Sequence, residues 1–275
     1  MNNLIKRTVF GAIYVAIIVV ACLCYTPYCF EIIFLLLSVF SVQEFHKITR
    51  TSHWQTLGAM ALTAILHVGF WSWACLSNVT VFPGTIWLLT AYAALLLLLL
   101  VAELFQPQTN PMEAWGNLLM GQVFIALPFA LMNILMSQSN MLLLSLFIVI
   151  WINDSGAYCV GSLLGKHKMI PRVSPGKSWE GFAGGLLFGL IAGYILFADP
   201  FHLTNLSYPL WQALLLTLVI IVFGTLGDLM ESLLKRTLGI KDSGNVLPGH
   251  GGFLDRFDSV LLATSALSLL LIALN

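Results

Sequence analysis

Residues 81–102 read VFPGTIWLLTAYAALLLLLLVA, 22 residues without one charged side chain. As a helix rising ~1.5 Å per residue this run covers ~33 Å, the thickness of a bilayer's hydrocarbon core. Working outward, eight further stretches have comparable character: roughly 8–24, 28–43, 57–76, 114–136, 141–162, 181–198, 211–230 and 258–274. The segment 28–43 is the shortest and carries Glu31. The links between stretches are mostly brief, with neither a soluble domain nor an internal repeat. The pattern predicts an all-α, polytopic integral membrane protein of about nine transmembrane helices.

Composition points the same way. Of 275 residues, 59% are hydrophobic and 9% charged, where a soluble domain has ~25% charged. So few charges cannot clothe a hydrated surface, so lipid must cover much of the chain. Twelve basic and twelve acidic residues balance to a net charge of zero, which argues against a nucleic-acid partner. The cysteines Cys22, Cys24, Cys29, Cys75 and Cys159 lie in or beside apolar runs without C-x-x-C spacing, and read as small apolar fillers. Lys6 and Arg7 ahead of an apolar run resemble a signal peptide. An uncleaved first span fits better, because equally apolar segments follow throughout.

With nine spans, alternate loops share a side. One side then receives Lys6, Arg7, Lys47 and Arg50, then Lys166, Lys168, Arg172 and Lys177, and finally Lys235, Arg236, Lys241 and Arg256. These are all 12 Lys and Arg of the chain. Basic loops stay cytoplasmic, so the N-terminus is expected inside and the C-terminus outside. The halves differ in kind. Residues 1–140 have short loops and read as structural, dimer-forming or lipid-facing helices. Residues 141–275 add two long cytoplasmic loops rich in Gly, Pro, Lys, Asp and His, and read as a catalytic region.

Three constellations in the second half carry ionisable groups in the membrane or against it. Asn153-Asp154-Ser155 puts a carboxylate about 13 residues, ~20 Å, from the outer end of its span. A carboxylate there needs a partner, a cation or water. In Asp228-Leu229-Met230-Glu231-Ser232-Leu233-Leu234-Lys235-Arg236, a continuing helix would line up Asp228, Glu231, Ser232 and Lys235 on one face. The alternative there is simple ion pairing along the helix. The third runs from Lys241-Asp242 through Pro248-Gly249-His250-Gly251-Gly252-Phe253-Leu254-Asp255-Arg256-Phe257-Asp258. Its glycines let main-chain N–H groups approach an anion. Asp255 and Asp258, at i and i+3, suit Mg²⁺ with retained waters and phosphate oxygens. Ser174-Pro175-Gly176-Lys177-Ser178-Trp179-Glu180-Gly181 sets Lys177 among turn residues before a glycine-rich span. His67 and His202 read as structural, and His250 as either structural or ligand-binding. Acids for a metal, fixed cations and a glycine loop on one membrane face are what polyphosphate chemistry on an embedded substrate requires.

The 27 residues from Ser232 to Asp258 closely resemble the signature of the phosphatidate cytidylyltransferases, the CDP-diacylglycerol synthases. Asn153-Asp154-Ser155-Gly156-Ala157-Tyr158 and the run Ser174–Gly181 match that family too, with Ser178 where many members have threonine. The likeness extends from about residue 141 to the end; residues 1–140 share only hydropathy. It implies transfer of a cytidylyl group from CTP to phosphatidic acid, giving CDP-diacylglycerol and pyrophosphate. It also implies Mg²⁺, with a second monovalent or divalent cation left open, a homodimer among membrane lipids, and the cytoplasmic (inner) membrane. By the same likeness Asp228 and Asp255 would be metal ligands. Catalytic roles would fall to Asp154, Lys177, Asp228, Lys235, Arg236, Lys241, His250, Asp255 and Arg256. Substrate binding would fall to Ser174, Ser178, Ser232, Asp242, Gly249, Gly251, Gly252 and Asp258. A CTP-dependent polyprenol kinase and a transporter are the alternatives. A CDP-alcohol phosphotransferase lacks support, because its D-G-x-x-A-R run is absent.

Overall fold

The computed structural model describes residues 3–24, 27–76, 83–106, 110–244 and 251–274. The chain is helical almost throughout. The helices are α1 (Asn3–Leu23), α2 (Pro27–Ile48), α3 (His53–Leu76), α4 (Pro83–Ala102), α5 (Pro111–Met120), α6 (Leu127–Gln138), α7 (Asn140–Leu164), α8 (Trp179–Gly193), α9 (Leu210–Thr237) and α10 (Leu254–Leu274). A π-helical stretch, Gly121–Ala126, joins α5 to α6, and another, Tyr194–Ala198, extends α8. Among the described residues eight helical spans are long and apolar enough to cross a membrane, and Thr8–Leu23 adds a shorter apolar one. This is an all-α, multi-pass membrane protein.

Local chemistry sets several of the boundaries. Asn110 accepts the Met112 N–H, with Pro111 in the first helical turn. Ser139 caps α7 through the Met141 N–H, and Ser178 caps α8 through the Gly181 N–H. Each satisfies one of the N–H groups a helix start leaves without a partner. The π-helical stretch after α5 ends just ahead of Pro128, which cannot donate the next helical bond. Beyond the second π-helical stretch the chain turns at Asp199, in the left-handed region at φ 49°. The backbone N–H groups of Leu203, Thr204 and Asn205 all donate to its carboxylate. Burial alone would raise that carboxyl, but these donors win and hold it below the usual carboxylate range.

The apolar runs seen in the sequence are helical where they are described, and several helices outrun them. The expected 28–43 span is a 22-residue helix through Ile48, because Val42 and Phe45 stay buried past the first polar residues. The 211–230 span continues to Thr237, 28 residues in all. The 258–274 span begins at Leu254. Within the expected 163–180 loop lies a short antiparallel hairpin, β1 (Lys168–Ile170) and β2 (Ser174–Ser178), with Lys168 opposite Ser178 and Ile170 opposite Ser174. Its alternation is too short to be legible as strand.

The chain forms two compact units. The first comprises Met1–Ser137 with Asp242–Arg256, the second Gln138–Lys241 with Phe257–Asn275. The segment 242–256 therefore goes with the N-terminal helices, which a simple division near residue 140 does not anticipate. The first unit has an aromatic centre in which Phe30 stacks on Phe34 at 4.3 Å and Phe34 meets Phe129 edge-on at 6.4 Å. In the second, Phe147, Ile220, Phe257 and Leu261 are buried, and α7 and α8 pack so closely that a β-carbon on Gly161 would lie 3.3 Å from the Gly181 Cα. Cys22 and Cys159 are free thiols.

Candidate functional site

In the second unit α7, α8, α9 and the β1–β2 hairpin line a cavity of about 660 Å³. Asp154 from α7, Lys177 from β2 and Asp228 from α9 all face it. Lys177 arrives there because the strand ends at the next residue, Ser178, whose hydroxyl caps α8 at 3.1 Å from the Gly181 N–H. Its ammonium lies 2.5 Å from Asp228 Oδ2, both side chains a little over a quarter exposed. The other oxygen, Asp228 Oδ1, accepts from Ser232 Oγ one turn further along α9 at 3.3 Å. Asp154 Oδ1 accepts from the Asn153 amide at 3.3 Å. Asp258, on α10, accepts from the Ser259 N–H at 2.6 Å. Asp154 and Asp258 both feel the Asp228 charge, and Asp258 also feels Asp154 and Lys235. Three carboxylates thus share one neighbourhood in a helical bundle.

That cluster is anionic beyond what Lys177 offsets. Lys235 is itself held 3.1 Å from Glu231, which is fully buried. The helix-surface ion pairing considered for this stretch of α9 is therefore real for Glu231 and Lys235, while Asp228 turns to Lys177 and Ser232. Carboxylates held close in an apolar setting need a compensating cation, and an oxygen-only donor set suits a hard ion such as Mg²⁺. Among the described residues no group of three or more His, Cys, Asp or Glu closes a metal shell. The arrangement fits an ion that keeps waters and completes its shell with substrate oxygens. The cavity wall is also apolar in part, through Ala157, Met169 and Phe182, with Tyr158 beside them 75% exposed. Such a wall accommodates a lipid.

The other expected residues are distributed as follows. Arg236 donates through Nε to the Val173 carbonyl at 3.3 Å, tying α9 to the hairpin turn. Ser174 pairs in the hairpin with Ile170. Lys241 and Asp242 are exposed. In the first unit Asp255 Oδ2 accepts from the Ser243 N–H at 2.8 Å, the Ser243 hydroxyl at 2.9 Å and the Gly252 N–H at 2.8 Å. Gly251 takes φ 80°, and a side chain there would run into that same carboxylate, so glycine is required. The Arg256 carbonyl accepts from Tyr14 Oη at 3.0 Å. Gly249 and His250 lie outside the described residues.

Two residues that matter to this geometry were not among the expected ones. Glu180 receives the backbone N–H groups of Lys166 and His167 and the His167 ring, fixing the turn before β1. Glu44 binds the Leu254 N–H at 3.0 Å. A signal for it does exist in the sequence. Ser38, Ser41 and Glu44 recur every three residues, and all are buried, a polar stripe on an otherwise apolar helix.

Fold and site together define a multi-pass membrane protein with an anionic, lysine-bearing cavity between its later helices. The chain belongs to the cytidylyltransferase family, whose sequence profile matches residues 5–274. Relatives include the phosphatidate cytidylyltransferases of Staphylococcus saprophyticus, 42% identical over 154 residues, and of Staphylococcus haemolyticus, 44% identical over 155 residues. Each alignment takes in 56% of this chain and 58% of the relative. The phosphatidate cytidylyltransferase of Staphylococcus aureus strain COL is 41% identical over 154 residues, with the same shares.

Proposed function

We propose that this chain transfers the cytidylyl group of CTP to phosphatidic acid, forming CDP-diacylglycerol and pyrophosphate in the cytoplasmic membrane. One observation supports this reading above the others: a carboxylate cluster with Lys177 in a cavity whose wall is partly apolar, within a family of cytidylyltransferases. The lipid phosphate is largely dianionic near neutral pH, its second pKa being ~6. An oxygen of that phosphate attacks the α-phosphorus of CTP as the bond to the β-phosphate oxygen breaks, and pyrophosphate departs with the electron pair. No strong base is needed. The chain's task is to hold two anions together and stabilise the charge moving onto the leaving group. Lys177 supplies a cation at the cavity, while Ser178 and Ser232 set the positions of Lys177 and Asp228. Mg²⁺, held by Asp228 with Asp154 and Asp258 nearby, would neutralise phosphate charge. The assignment of Asp255 as a second ligand rests on the sequence motif.

The test uses purified protein, phosphatidic acid, Mg²⁺ and CTP labelled at either the α- or the γ-phosphorus. A lipid-soluble product carrying the α-label is expected. Transfer of the γ-label instead would identify a CTP-dependent kinase, and no transfer of either would end the reading. Mass in detergent, corrected for the micelle, tests the homodimer.

Within this reading the basic residues divide their work. Arg236 ends α9, and long basic side chains at a helix end reach the membrane interface, so it should favour the lipid phosphate. Lys241, exposed where the glycine loop begins, should favour CTP. Lys241→Ala is expected to raise KM for CTP more than for lipid, and Arg236→Ala the reverse, each beyond ~5-fold where solvated charges contribute under ~1 kcal/mol. Equal shifts in both constants would reject the division. Topology gives a second check: a reporter fused at the C-terminus should read as external, with all 12 basic residues on the opposite side. An internal reading would mean that a span is miscounted, the Glu31-bearing 28–43 stretch first.

A further inference from the structure

Inside the first unit, three side chains from the N-terminal helices hold residues 253–256. Tyr14 of α1 donates to the Arg256 carbonyl at 3.0 Å. Phe40 of α2 stacks on Phe253 with centroids 5.6 Å apart and planes 17° from parallel. One turn further along α2, Glu44 Oε2 accepts the Leu254 N–H at 3.0 Å. Glu44 is 7% exposed, and its Oε1 lies against the backbone of Gly244 and Gly252, where a β-carbon on either glycine would collide with it. A buried carboxylate in a membrane helix needs a reason, and nothing in the reaction described above uses this one. Its position supplies the reason. The start of α10 presents N–H groups without helical partners, and the Glu44 oxygen satisfies that of Leu254. Asp255, next along the chain, gathers Ser243 and Gly252 from the other side. The two carboxylates clamp the glycine-rich segment at both of its described ends.

We propose that Glu44 is a positioning residue: from α2 it holds the Leu254 N–H and abuts the backbone of Gly244 and Gly252, so that these residues and the Asp255 carboxylate are preorganised for the triphosphate of CTP. This assigns the N-terminal helices a part in the reaction, and it rests on the reading that segment 242–256 serves CTP. Reach and hydrogen-bond acceptance are the properties that count, not charge. Glutamine keeps both, whereas aspartate keeps the charge and falls one methylene short.

The full chain in detergent is compared as wild type, Glu44→Gln, Glu44→Asp and Glu44→Ala. The Ala and Asp variants are expected to raise KM for CTP about 10-fold or more, the scale of leaving one buried N–H without its acceptor. KM for phosphatidic acid should stay within ~2-fold, the level of a bystander effect. The Gln variant should recover most of the wild-type KM. Amide hydrogen exchange over residues 251–257 should quicken in the Ala and Asp variants and stay near wild type in the Gln variant. This arm reads the loop without activity, so it stands even if the wild type turns over another nucleotide. An unmoved KM for CTP in the Ala variant would overturn the proposal. So would activity retained by Asp and lost by Gln, since that order assigns Glu44 a charge role. Unchanged exchange in every variant would overturn it too.

Discussion

Asp228→Asn is expected to lower kcat at least ~10²-fold, the scale of removing one preorganised electrostatic contact from a transition state. The geometry says why this carboxylate should be the most sensitive. Asp228 pairs with Lys177 at 2.5 Å, receives Ser232, and interacts electrostatically with both Asp154 and Asp258. The amide keeps the shape and loses the charge, so the variant should fold while Lys177 loses its counter-ion. Activity should also become harder to saturate with Mg²⁺, since a partly hydrated ion depends on the few carboxylates it has. Asp255→Asn is expected to fall as far if it ligates the ion. If Asp255 only folds the loop through Ser243 and Gly252, its Mg²⁺ dependence should match wild type. Near-wild-type turnover in Asp228→Asn, or full turnover in excess chelator, would remove the metal from the account.

The second large effect is expected at a residue with no functional group. A β-carbon on Gly185 would lie 2.7 Å from Asn153 Oδ1, 2.8 Å from the Asn153 carbonyl oxygen and 3.0 Å from the Ala157 β-carbon. The carbonyl belongs to the α7 backbone and cannot rotate away, so Gly185→Ala must push α7 and α8 apart. Overpacking of this kind costs about 1–3 kcal/mol and sometimes more. Asn153 precedes Asp154 and donates to it, so activity should fall together with the thermal midpoint in detergent. Gly116→Ala is the control. It sits in a helix with nothing within 4 Å of the added carbon, and should be neutral or stabilising by about 0.5–1 kcal/mol. Equal midpoints for the two variants would refute the packing argument.

Much of this protein was legible before any coordinate. The spans were visible because a bilayer demands long apolar runs, a constraint written into composition itself. Asp154 and Asp228 are recognisable because charge at membrane depth is rare enough to stand out, Lys177 because it sits among turn residues before a glycine-rich span, and the fold brings those three to one cavity. What stayed hidden depended on pairing. The i,i+4 spacing of Glu231 and Lys235 permits their pairing, but nothing local says that Asp228 turns to Lys177 on the hairpin. The extension of α2 past residue 43 was missed because Glu44, His46 and Lys47 look like a loop. Glu44 and His46 are nonetheless buried, and Glu44 has its partner 210 residues away. Long-range partners of that kind leave no local periodicity.

The allotment of residues 242–256 to the first unit bears on how the gene could be divided. Two polypeptides made separately and cut between Ser137 and Asn140 look like a natural pair, since the break falls at a helix boundary. Yet the later fragment would carry its glycine-rich stretch without Tyr14, Phe40 or Glu44 to dock on. The later fragment made alone should therefore lack activity, and co-expression with an N-terminal fragment carrying Glu44→Ala should restore less of it than the wild-type fragment does.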